Sequence, residues 1–202
     1  MPVPDKALVQ RVLTQHDRDI VCRQAIEAGW KAVKEKHPDL AWWRRKGTRA
    51  HVMWENTVDL AINSLADKPG VKHIPHYDTA SFLFDDSVLA RFKVATVGLL
   101  TSNYPTPLAR LFDHHEKDLF GFSGYHRIEI VHVFNRFGTA LDWIGVVARE
   151  RRKVIWDFEL RVGGAVVEKL PIKPMTQPAA ARVLRPAKPA DEKKSEEDKK
   201  DA

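Results

Sequence analysis

The sequence predicts an α+β fold: N-terminal helices packed with an antiparallel β-meander, followed by a disordered, charged C-terminal tail. Three observations lead there. Apolar residues recur at helical spacing through the first third, they alternate at strand spacing from Ser81 to Val162, and they thin out to alanine after Lys173. The expected organisation is one domain over 1–173, mainly helical over 1–70 and mixed over 71–173, with a Pro/Ala/Lys/Glu-rich tail over 174–202.

Each element has its own signal. Leu8, Val9, Val12 and Leu13 mark a first helix, and Val21, Ala25, Ala28 and Ala32 a second. Asp17 or Asp19 is placed to cap the second, and His37-Pro38 to stop it. Gly29 weakens that helix by about 1 kcal/mol relative to alanine. A third helix is expected after Thr48, which can cap it. There Trp54, Val58, Ala61, Ile62 and Leu65 form one apolar stripe, and Asp67-Lys68-Pro69-Gly70 ends it. Ser81–Asp85 and Val88–Thr96 then read as strands joined at Asp86-Ser87. Thr106-Pro107 is a helix start, with Leu108, Leu111 and Phe112 on the buried edge and Gly121 beyond the end. Three strands follow: His126–Asn135, Thr139–Arg149 and Lys153–Val162, with turns at Phe137-Gly138 and Glu150-Arg151-Arg152. In the first of these, Ile128, Ile130, His132 and Phe134 share one face.

The tail has no aromatic residue and no histidine, and four prolines interrupt its first half. It buries too little apolar surface to offset an ordering cost of about 1–2 kcal/mol per residue. Its seven Lys+Arg against six Asp+Glu leave it near neutral, which suits a solubilising role better than a phosphate tether.

Composition removes whole function classes. The 202 residues carry 33 Lys+Arg and 27 Asp+Glu, for a formal charge of +6. The lone Cys22 allows no internal disulfide and no cysteine-type zinc site. No run approaches the 20 or so apolar residues of a membrane helix, and the start lacks a secretory pattern, so a cytoplasmic protein without a membrane partner is expected. There is no Gly-rich phosphate loop, no Gly-x-Ser-x-Gly and no dinucleotide fingerprint. No cofactor and no metal are expected.

The most unusual composition is Trp42-Trp43-Arg44-Arg45-Lys46-Gly47-Thr48-Arg49. Cations neutralise phosphates, while indole and guanidinium planes stack on exposed bases. Gly47 permits close backbone approach, and Thr48 sets a helix N-terminus where a phosphate can dock. The competing structural reading is that the two indoles plug the gap between helices. The separation of the helices, His37 to Gly47, is too long for a helix-turn-helix. A second basic turn, Arg149-Glu150-Arg151-Arg152-Lys153, would extend the surface if it lay alongside. The sequence therefore suggests a small nucleic-acid-binding accessory or regulatory protein, RNA and DNA meeting the same requirement. Use of the indoles or N-terminal helices against a protein partner in a two-gene system is the first alternative.

The second alternative is a metal-independent phosphodiester hydrolase. Histidine acid–base chemistry and cations to hold charge on phosphorus are its requirements. His114, His115 and Glu116, with Arg91 and Lys93, are the candidates, and Arg127 and His132 complete the available set. His132, among apolar neighbours, reads as an interior histidine. The polar loop Thr101–Thr106 is either an anion site or a turn with a packing tyrosine.

Overall fold

A computed structural model describes residues 3–38, 46–76, 79–101, 111–112, 115, 124–150 and 153–163. All belong to one unit, Met1–Val166; the expected tail over 174–202 lies outside the described residues. The fold is α+β. Three helices, α1 (Lys6–Thr14), α2 (Arg18–Lys36) and α3 (Lys46–Leu65), precede six strands: β1 (Val71–His76), β2 (Thr79–Phe84), β3 (Val88–Ala95), β4 (His126–Phe134), β5 (Leu141–Glu150) and β6 (Lys153–Glu159). No described helix is long and apolar enough to cross a membrane.

The strands form one sheet in chain order, and the neighbours run antiparallel except β3 and β4. The antiparallel meander expected from the sequence is β4–β5–β6, and the parallel β3–β4 pair joins it to the strands before it. The chain between Thr96 and Tyr125 is long enough to return to the starting end of the sheet, which a hairpin cannot do. β1 has no counterpart among the expected strands, because Pro75 interrupts its pattern. It is an edge strand, where proline is tolerated.

Asp5 caps α1 by accepting from the Leu8 amide at 3.1 Å. His16 and Asp17, both at φ 56°, break the chain between α1 and α2. Asp17 holds the N-cap position of α2 but makes no side-chain capping bond; it pairs instead with Arg161 at 3.0 Å. The buried stripe of α2 is Cys22, Ala25, Ile26, Gly29, Trp30 and Val33, one step round from the stripe the alanines suggest. Ile26 and Trp30 have more apolar surface to remove from water, so they take the interior and leave Ala28 and Ala32 half-buried.

Gly29 is required by packing rather than merely tolerated. A Cβ there would stand 2.6 Å from Thr57 Oγ1 and 3.1 Å from the Thr57 backbone on α3. Gly29→Ala gains about 1 kcal/mol of helix propensity but overpacks this crossing at a cost of about 1–3 kcal/mol. We expect a net loss in chemical denaturation; a stabilised variant would show that α3 yields easily.

One face of the sheet carries Phe82, Phe84, Ala90, Phe92, Ile128, Ile130, Ile144 and Val146 against Leu13, Ile26, Trp30, Met53 and Leu65 of the helices. Trp54 packs at the margin of this core and donates its indole N–H to the Phe92 carbonyl at 3.1 Å. His132 faces the same core. Burial lowers its pKa to about 4, and its ring meets Phe134 edge-on at 5.2 Å. It is an interior histidine, neutral at ordinary pH. Burial, reinforced by the charge of Asp19, pushes the Cys22 thiol well above its ordinary value, so it is a packing residue.

Candidate functional site: the amino-terminal corner of α3

α3 begins at Lys46, three residues ahead of the expected start, so Thr48 sits inside the first turn and not at the cap. Trp42, Trp43, Arg44 and Arg45 lie outside the described residues, as does the side chain of Lys46. Gly47 and Thr48 are exposed, and a Cβ at Gly47 would meet nothing within 4 Å. The first turn has no acidic residue. The first turn of this 20-residue helix thus exposes Gly47 and Thr48, and the sequence leading into it runs Arg44-Arg45-Lys46.

Arg49 does not follow its neighbours outward. It is half-buried. Its Nη1 donates to the Gly138 carbonyl at 2.8 Å, and its guanidinium lies 4.9 Å over the Phe134 ring. Trp30 meets that same ring edge-on at 5.0 Å, with Lys34 Nζ 5.6 Å from the indole centroid. Helices α2 and α3 and strand β4 thus lock together around Phe134, and Arg49 ties the β4–β5 turn to the helix.

Glu150 pairs with Lys153 across the β5–β6 hairpin; the joining residues Arg151 and Arg152 lie outside the described residues. That hairpin is at the opposite end of β5 from Gly138. A strand of 10 residues spans roughly 30 Å. The residues flanking the two basic segments are therefore a strand length apart and do not border a common groove.

The other alternative from the sequence maps to the sheet face away from the helices. His114 and Glu116 lie outside the described residues. Arg91, Arg127, Glu129, Arg149 and His115 are all buried. Arg91 Nε donates to Ser81 Oγ at 3.0 Å, and its guanidinium sits 4.1 Å over Phe112. Arg127 Nη1 donates to the Leu111 carbonyl at 2.7 Å. Arg149 Nη2 contacts both Glu129 and the Thr101 hydroxyl, and His115 Nε2 meets the Arg149 carbonyl. Lys93 is half-buried beside them on β3 and has partners of its own. Thr101, the first residue of the polar loop, is turned inward here; Ser102–Thr106 lie outside the described residues.

The structure does gather His115, Arg91 and Arg127, as the hydrolase reading requires, but it buries them around the Glu129–Arg149 pair. His115 is 3% exposed and already faces a backbone carbonyl, which is a poor stance for transferring a substrate proton. Sequence reading missed Glu129 and placed Arg149 in the basic turn at the hairpin end, whereas the two are the buried pair at the centre. Their one signal was an acid and a base placed within apolar strands. Among the described residues, no group of three or more His, Cys, Asp or Glu is placed to hold a metal ion. Comparison with known proteins finds no matching family model, no similar characterised protein and no similar solved structure.

Proposed function

We propose that this protein binds nucleic acid through the amino-terminal corner of α3, as a small cytoplasmic accessory or regulatory protein. Trp42, Trp43, Arg44, Arg45 and Lys46 form the contact set. The observation that carries this reading is the open, acid-free first turn of a long helix at the end of three consecutive cations. Backbone N–H groups at such a terminus favour a phosphate, and flanking Lys and Arg add counterion release. The basic composition, with a sequence pI near 9.4, points the same way. Arg49 supports the site by fixing the helix against the β4–β5 turn.

The test is a mobility-shift titration with mixed RNA and DNA, single- and double-stranded, comparing the native chain with the triple variant Arg44→Ala, Arg45→Ala, Lys46→Ala. We expect the variant to bind at least about tenfold more weakly, because three phosphate contacts are removed. Its folding stability should change little, since exposed charge substitutions usually shift it by about 0.5 kcal/mol or less. Equal affinity in the two proteins, or no shift by the native chain at low salt, would exclude this corner.

A further inference from the structure

We infer that the turn Arg136–Phe137 between β4 and β5 belongs to the same surface and makes it selective for single strands. Phe137 stacks on an unpaired base and Arg136 meets an adjacent phosphate. This rests on the nucleic-acid reading of the α3 corner.

Phe137 is 81% exposed, and Arg136 beside it is exposed as well. The turn that presents them is tightly closed. The Asn135 amide donates to the Ala140 carbonyl at 2.9 Å, and the Gly138 amide donates to the Asn135 carbonyl at 2.9 Å. The Asn135 side chain accepts from the Thr139 amide at 2.8 Å and donates to the Thr139 hydroxyl at 2.9 Å. Phe137 is therefore held outward by a fixed scaffold.

The turn is also fixed relative to α3. Gly138 accepts the Arg49 bond, and two features favour glycine there. Its φ is +67°, and a Cβ would stand 2.4 Å from the Arg49 guanidinium nitrogens. The ring and the first turn of α3 consequently form one pre-ordered surface, which limits the ordering cost of binding.

The chemistry selects the strand. A phenyl ring offers no hydrogen-bond donor or acceptor, so its contribution to a nucleic acid is its face. Base faces are open in a single strand and hidden in a duplex stack. Because β3 and β4 are parallel, with Ala95 opposite Val133, the turn after β3 leaves from the same end of the sheet. It exposes Val97 and Leu100. Apolar tips beside cations also suit an anionic lipid surface, so the experiment includes one.

The measurement is fluorescence anisotropy with the full chain, using labelled oligothymidylate, the same strand annealed to its complement, and, separately, sedimentation with phosphatidylserine-containing vesicles. The native protein should prefer the single strand. Phe137→Ala should weaken single-strand binding about tenfold, Phe137→Trp should restore it, and duplex binding should be unchanged. The thermal midpoint should stay constant, since the side chain lies in solvent. If Phe137→Ala binds the single strand as tightly as the native chain while the Arg44/Arg45/Lys46 variant is weakened, the inference fails and the proposed function stands. Equal losses on single strand and duplex overturn the strand selectivity. A native chain that binds neither nucleic acid overturns both readings, and vesicle binding lost in Phe137→Ala then assigns the tip to lipid.

Discussion

Glu129→Ala should destabilise the fold by about 3–5 kcal/mol, the usual cost of removing one partner from a buried ion pair. Glu129 and Arg149 have side chains only 3% and 5% exposed, on neighbouring strands at the centre of the sheet. Arg149 also touches the Thr101 hydroxyl, which itself lies 3.3 Å from a Glu129 oxygen. Removing the carboxylate takes its charged contact away from a guanidinium at that depth and opens a void in the packed layer. Domains of this size are stable by about 5–15 kcal/mol, so urea titration should show a large shift in midpoint. Glu129→Gln keeps the shape and an acceptor oxygen but not the charge, and should fall between. A loss below about 1 kcal/mol for Glu129→Ala would mean that the network contributes little to the fold and is free to serve another purpose.

Arg18→Met should cost about 3 kcal/mol, and the cost should depend on pH. Arg18 is 1% exposed. Its guanidinium donates to the Val12 carbonyl at 3.0 Å, to the Pro69 carbonyl, and to both Asp85 oxygens at 2.7 Å. It therefore joins the end of α1, the exit from α3 and the β2–β3 turn, where Asp85 and Asp86 both have φ 46°. Gly70 completes the arrangement, because a Cβ there would collide with Asp85.

The hydrogen bond from Arg18 holds the Asp85 carboxyl below its ordinary value of 3.8. A carboxyl whose folded pKa is lowered stabilises the fold fully above the unfolded value, and that contribution disappears as pH falls through the folded value. The difference between native chain and Arg18→Met should thus be largest near neutrality and shrink below about pH 4. A difference independent of pH would assign the whole effect to the two backbone carbonyls.

Local signals carry much of the fold. The period of α3 places Val58, Ala61 and Leu65 in the core, and strict alternation along β4 puts Ile128, Ile130 and His132 together on the helix-facing side. Features set by contacts distant in sequence are not legible in this way. The parallel pairing of β3 with β4 depends on where a long connection returns, which composition does not encode. Gly29 reads as a weak point because its partner, Thr57, is on another helix. Arg49 reads like its cationic neighbours because the carbonyl that orients it belongs to Gly138.

The candidate site divides in the same way. Its chemistry, indoles beside clustered cations, is plain in the sequence over Trp42 to Lys46. Its geometry is not, because the exposed ring of Phe137 is held at the α3 corner by Arg49 contacts to Gly138 and Phe134, which are distant from it in sequence. The interior position of His115 and Arg91 likewise follows from the sheet, where β3, β4 and β5 bring their charged side chains to one buried face.

The most direct measurement is the salt dependence of single-strand binding by the full chain. Each phosphate contact to a single strand contributes about −0.7 to the slope of log affinity against log salt, so the four cations Arg44, Arg45, Lys46 and Arg136 give a slope of about −3. That slope is expected for the native protein, and a slope of about −0.7, from Arg136 alone, for the Arg44/Arg45/Lys46 alanine variant. Affinity that ignores salt in the native chain, or an unchanged slope in the variant, would contradict it.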